Sequence, residues 1–114
     1  MITQKEINSL DRKYFTVIHA GCYGVTLQSK NTKHCWYIAC EDLGYMQSFR
    51  IDHTHHRGTP MHQHGHGKSL ASCIRQIQSH DEYQLKKDAA KRRHSRYRRQ
   101  EARTIAADNL ITDF

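Results

Sequence analysis

A single proline, six glycines and only short apolar stretches set the first limits on this 114-residue chain. No run approaches the roughly 20 apolar residues that a membrane-spanning helix requires, so no membrane association is expected. The opening MITQKEINSLDRK holds no apolar core of the kind a secretory signal needs, and a cytoplasmic location is the expectation. The four cysteines, at 22, 35, 40 and 73, contain no C-x-x-C pair. In a reducing compartment they are not expected to form disulfides. Cys35 and Cys40 sit beside Trp36 and Tyr37 in a strand-like stretch, where buried, inert thiols are the common case. Phosphate-binding loops, dinucleotide fingerprints and H-E-x-x-H are all absent. Carboxylates are few, 11 against 18 lysines and arginines, and Glu41-Asp42 read as a solvated approach to a turn. Nothing here announces a reaction, and the chain reads as a non-catalytic binding protein.

What is abundant is positive charge, and it is concentrated. Lys86, Lys87, Lys91, Arg92, Arg93, Arg96, Arg98, Arg99 and Arg103 face only Asp88 and Glu101 within residues 86–103. That stretch alone carries +7, the whole formal charge of the protein, and the remainder is balanced at nine basic and nine acidic residues. Blocks of this kind read as interaction arms. Closely spaced guanidinium and ammonium groups displace condensed counterions, and arginine grips phosphate through a bidentate fork. Lys87, Lys91, Arg92, Arg93, Arg96, Arg98, Arg99 and Arg103 are the expected phosphate contacts. Tyr97, with His94, is placed to stack on a base, which favours single strands or RNA loops. An acidic protein surface is the other partner such a segment fits, and plain solvation of a helix is the third reading.

The pattern along the chain gives an α+β fold. Residues 3–10 suit a short helical lead-in. YFTVIH, CYGVTLQS, HCWYIA and YMQSFRIDHTH then read as four strands, separated by turn residues at Ala20-Gly21, Lys30-Asn31-Thr32 and Asp42-Leu43-Gly44. Short connections imply antiparallel neighbours, hence a four-stranded antiparallel sheet. Alternation puts Tyr23, Val25 and Leu27 on one face, with Trp36 and Ile38, and with Tyr45, Phe49 and Ile51. After a loop read from RGTPMHQHGHG, Ser69 N-caps a helix whose Leu70, Cys73, Ile74 and Ile77 form the stripe that covers the sheet. The expected organisation is a small α+β domain over residues 1–80 and a basic helical arm over residues 81–114. At 100° per residue the arm's charges spread around most of the helix, and like-charged pairs such as Lys87/Lys91 and Arg99/Arg103 recur at i, i+4.

Histidine is the second excess, with six of ten falling at His53, His55, His56, His62, His64 and His66. Neutral imidazole is a preferred zinc, copper or nickel ligand. On extended chain His53 and His55 share a face, and H-x-H-x-H would put His62, His64 and His66 on one side. These five, with Cys73 as a further donor, are the expected metal ligands, zinc being the cofactor. The spacings match no zinc-finger template, and the same histidines with Arg57 and Lys68 also suit phosphate contact. A metal-dependent hydrolase or nuclease using the His cluster is the catalytic alternative, and Asp52, His53, His56 and Lys68 can also be assembled into a nuclease-like site; a protein-only inhibitor or adaptor that binds an acidic surface is the other alternative.

VTLQSKNTKHCWYI, the His-rich segment with its proline, and SLASCIRQIQSHDEYQL together resemble small uncharacterised proteins carried by phages and mobile elements of Gram-positive bacteria. The resemblance runs over roughly residues 14–86 and excludes the basic arm. It implies a bacterial host cell as the setting and anti-defence activity of the anti-CRISPR kind as one occupation. A ribonucleoprotein such as a CRISPR effector, whose guide RNA the arm would compete for or whose acidic face it would bind, is the partner it implies. No catalytic residue follows from it.

Overall fold

The computed structural model describes residues 1–112, with side chains through residue 104. The helical lead-in is α1 (Gln4–Asn8). Its N-cap Thr3 and Glu6 form a reciprocal capping box, and Ile2 and Leu10 on either side of the helix are buried in the core. The four expected strands are present as β1 (Phe15–Ala20), β2 (Gly24–Ser29), β3 (Cys35–Asp42) and β4 (Gln47–Thr54). Each turn lies where its residues suggest. Gly44 supplies a φ of +84° between β3 and β4, and its N–H donates to Asp42 Oδ1 at 2.9 Å.

The sheet has five strands, not four. β5 (His62–Gly67) lies in the segment read from sequence as a loop, and it pairs antiparallel with β4 to give the order β1-β2-β3-β4-β5. HQHGHG lacks the β-branched and aromatic residues that mark a strand. Its strand character comes from what it packs against. Gly65 and Gly67 pair with Ile51 and Phe49, so they share the core face with those residues. A Cβ on Gly67 would stand 2.6 Å from Cys73 Sγ. Glycine therefore lets the covering helix come down onto the edge strand.

That helix, α2 (Leu70–Thr112), starts as expected: Ser69 Oγ accepts from the Ser72 N–H at 3.1 Å. It does not stop near Asp81, and no glycine or proline obliges it to. The chain divides into two compact units, Met1–Asp81 and Glu82–Phe114, and α2 contributes residues to both. The last two residues expected in the arm, 113 and 114, lie outside the described residues.

In the first unit, pairing places Val25, Leu27, Trp36, Ile38, Phe49, Ile51 and His53 on one face of the sheet. Leu70, Cys73 and Ile77 of α2 are buried with them, while Ile74 is only partly buried. The opposite face is polar, with Arg50 pairing to Glu41 at 3.0 Å and to Asp52 at 3.1 Å. Tyr23 and Tyr45, expected on the apolar face, fall in hairpin loops instead and are 63% and 84% exposed. At Asp81 the first unit closes on a buried carboxylate, which accepts from Tyr14 Oη at 2.7 Å and from Thr32 Oγ1 at 3.0 Å.

Candidate functional sites

Two concentrations of chemistry stand out, one in each unit. In the second, every basic side chain from residue 86 to residue 103 is exposed. Among the described residues, the ion pair in this segment is the exposed Lys86–Glu82 contact at 3.1 Å. Asp88 is engaged by Gln84 Nε2 at 3.0 Å. The nine cations are not equivalent. Arg92, Arg96, Arg99 and Arg103 follow i, i+4, i+7, i+11, which confines them to an arc of about 60° over a rise of about 16 Å. Lys91 and Ser95 border this stripe and line a shallow groove with Arg92, Arg96 and Arg99. Tyr97 is 65% exposed one turn beyond Arg93, on a different face from the stripe. Lys87 and Arg98 also lie off the stripe.

In the first unit, six imidazoles gather around Trp36. The indole is fully buried, donates to Ser29 Oγ at 3.2 Å, and stacks on His53 with ring centroids 4.0 Å apart. His64 and His80 stand edge-on to it at 5.3 and 5.1 Å. His34 stacks on His55 at 4.4 Å, and His62 meets His53 edge-on at 5.6 Å. Within this group, ring nitrogens of His34, His53 and His80 all lie within 4.8 Å of one another. His53 Nε2 and His34 Nδ1 are 3.0 Å apart and share a hydrogen bond. His80 Nδ1 is buried without a hydrogen-bond partner.

Burial favours the uncharged form of three of these rings, His53, His64 and His80. Burial, reinforced by His80, His34, His55 and His64, pushes the His53 pKa down to about 3. Burial also lowers His64, with His62 adding to it. For His80, burial and His64 lower the pKa while the adjacent Asp81 opposes them. At neutral pH these three imidazoles therefore carry lone pairs rather than charge, which is the form that coordinates metal.

Of the metal ligands expected from sequence, only His53 belongs to the convergent trio. His55, His62 and His64 join the surrounding rings. His66 is separated from them by a β-bulge: β5 places two steps, Gly65 to Gln63, opposite the single step from Ile51 to Asp52. The alternation breaks at His64, so the three spaced histidines do not share one face, and His66 pairs with Arg50 on the polar side. Cys73 is not a donor of the trio either. It is fully buried against Gly67, and burial pushes its thiol up to about 11. The nuclease-like assembly also comes apart, because Asp52 points to the Arg50 face while its neighbour His53 points to the core.

His34 and His80 were not among the residues expected from sequence, yet both carried a signal. His34 lies two residues before Trp36, on the same side of an extended chain, and His80 continues the Cys73–Ile77 stripe at i+3. Among the described residues no helix is long and apolar enough to cross a membrane. No family model, curated protein or solved structure matches the chain, so the reading of both sites rests on their own chemistry.

Proposed function

We propose that the protein is a non-catalytic binder of polyanions that uses the basic segment of α2 to engage nucleic acid, alone or within a nucleic-acid–protein complex. The observation that carries this reading is the stripe Arg92, Arg96, Arg99 and Arg103: four exposed guanidinium groups on one side of a helix, with no acidic side chain paired to them among the described residues. An arginine row of this kind follows a phosphate backbone by displacing counterions and by bidentate hydrogen bonding. Tyr97, exposed beside Arg93, offers a stacking face to an unpaired base and so favours single strands. Among the described residues, the bulk of the cation density is free of internal ion pairs, so a polyanion need not break those contacts to bind.

Fluorescence anisotropy with labelled single-stranded RNA, single-stranded DNA and duplex DNA tests the proposal on the full chain. Binding to at least one polymer, tightest for a single strand, is the expected result. Failure to bind all three while an acidic polypeptide such as polyglutamate binds would replace nucleic acid with a protein partner.

A further inference from the structure

We propose that His34, His53 and His80 form a binding site for a zinc-class divalent transition metal, independent of the nucleic-acid surface on the second unit. The three histidines come from the turn before β3, from β4 and from α2, and yet their ring nitrogens fall within 4.8 Å of one another. Two imidazole ligands on a tetrahedral zinc, each at about 2.0–2.1 Å, stand about 3.3 Å apart. The 3.0 Å between His34 Nδ1 and His53 Nε2 is within a few tenths of an ångström of that spacing.

The second observation is the buried, unpartnered His80 Nδ1. A buried polar atom with no partner is costly, and native structures contain few of them. A metal bound among the trio through this nitrogen would take up its lone pair and so give the buried atom a partner.

The donor set selects the ion. All three donors are imidazole nitrogens, and the one buried carboxylate nearby, Asp81, is occupied by Tyr14 and Thr32. Nitrogen donors without carboxylates suit zinc, copper, nickel or cobalt and reject magnesium and calcium. The site lies against a rigid wall, since Trp36 stacks on His53 and meets His80 edge-on. Binding there would tie sheet to helix and so stabilise a unit whose apolar core is small. The rings of His55 and His64 border the trio and leave the remaining coordination to imidazole or water.

The test uses metal alone, with nucleic acid absent. Protein stripped with a chelator is titrated with Zn2+ and with Co2+, and is followed by Trp36 emission and by the visible absorption of cobalt. One ion per chain is expected, with the intense visible bands of low-coordinate cobalt–nitrogen ligation. Loss of one ligand in H80Q should weaken binding by at least about a hundredfold, since loss of even an outer-shell partner costs ten- to a hundredfold. H34Q should do the same, and circular dichroism reports whether each variant is folded. H80Q replaces a half-buried side chain on a helix, so it keeps the test decisive if H34Q does not fold. H56A/H66A removes two exposed histidines outside the trio and should bind as the parent does. Binding unchanged in H80Q, or abolished in H56A/H66A, would overturn the proposal and leave only adventitious capture by the surface histidines. A parent protein that takes up neither ion would overturn it as well.

Discussion

Gly67→Ala is a demanding test of how the edge strand is seated. The Gly67 φ lies outside the left-handed region, so its backbone would accept alanine without strain. On backbone grounds alone, replacing glycine would stabilise the fold by about 0.4–1 kcal/mol. The added methyl, however, would stand 2.6 Å from Cys73 Sγ and 3.3 Å from the Cys73 nitrogen. Ordinary carbon contacts lie near 3.5–4.0 Å, so the strand and helix must separate by roughly 1 Å. Overpacking of this kind costs about 1–3 kcal/mol, which reverses the sign of the substitution. Gly65→Ala is the matched control. Its methyl would meet only Gln76 Oε1 at 3.4 Å, the far end of a flexible side chain, so it should be neutral or mildly stabilising. Urea denaturation followed by Trp36, the sole tryptophan and fully buried, measures both. Cys73→Ala removes the obstructing sulfur, and in the double variant with Gly67→Ala the two costs should fail to add by about 1 kcal/mol or more. Equal effects at positions 65 and 67, or strict additivity with Cys73→Ala, would refute the packing of β5 beneath α2.

Other substitutions report on the rest of the first unit. Asp81→Ala strips the acceptor from Tyr14 and Thr32 and should destabilise by about 2–4 kcal/mol in the same assay, since hydrogen bonds to a buried charge are the strong ones. Ser29→Ala leaves the buried Trp36 indole N–H without its partner, with an expected cost of about 1–3 kcal/mol and a shift in tryptophan emission. Arg50→Ala breaks contacts with Glu41 and Asp52 on the half-exposed face and should cost no more than about 1 kcal/mol, a loss that shrinks further in high salt.

Much of this architecture was legible in the chain. The first four strands advertise themselves through Val, Ile, Thr, Tyr and Phe between turn residues, and Ser69 with Leu70, Cys73 and Ile77 announces a capped, amphipathic helix start. β5 was not legible, because two of its core-facing residues are Gly65 and Gly67, which permit a close approach that only the folded helix makes apparent. The histidine excess pointed to the neighbourhood of the cluster, but of the histidines it singled out only His53 belongs to the convergent trio. A bulge at His64 cannot be seen in a regular H-x-H-x-H spacing, and it removes His66 from the group. His34 and His80 were hidden because they are distant in sequence from the dense run, although the strand and helix periods each place them beside Trp36. The basic segment needed no folding to be seen, since its charge is local in sequence; the arginine stripe within it follows from the helical period alone.

The central claim is that the arginine stripe of α2 grips a phosphate backbone. Its most direct test is the affinity for a short single-stranded RNA measured from about 50 to 200 mM salt, for the parent chain and for the variant with Arg92, Arg96, Arg99 and Arg103 all replaced by glutamine. At about 0.7–0.9 per neutralised phosphate, the account predicts that log K falls with log salt less steeply in the variant by roughly 3. Parallel salt slopes for the two proteins would contradict it.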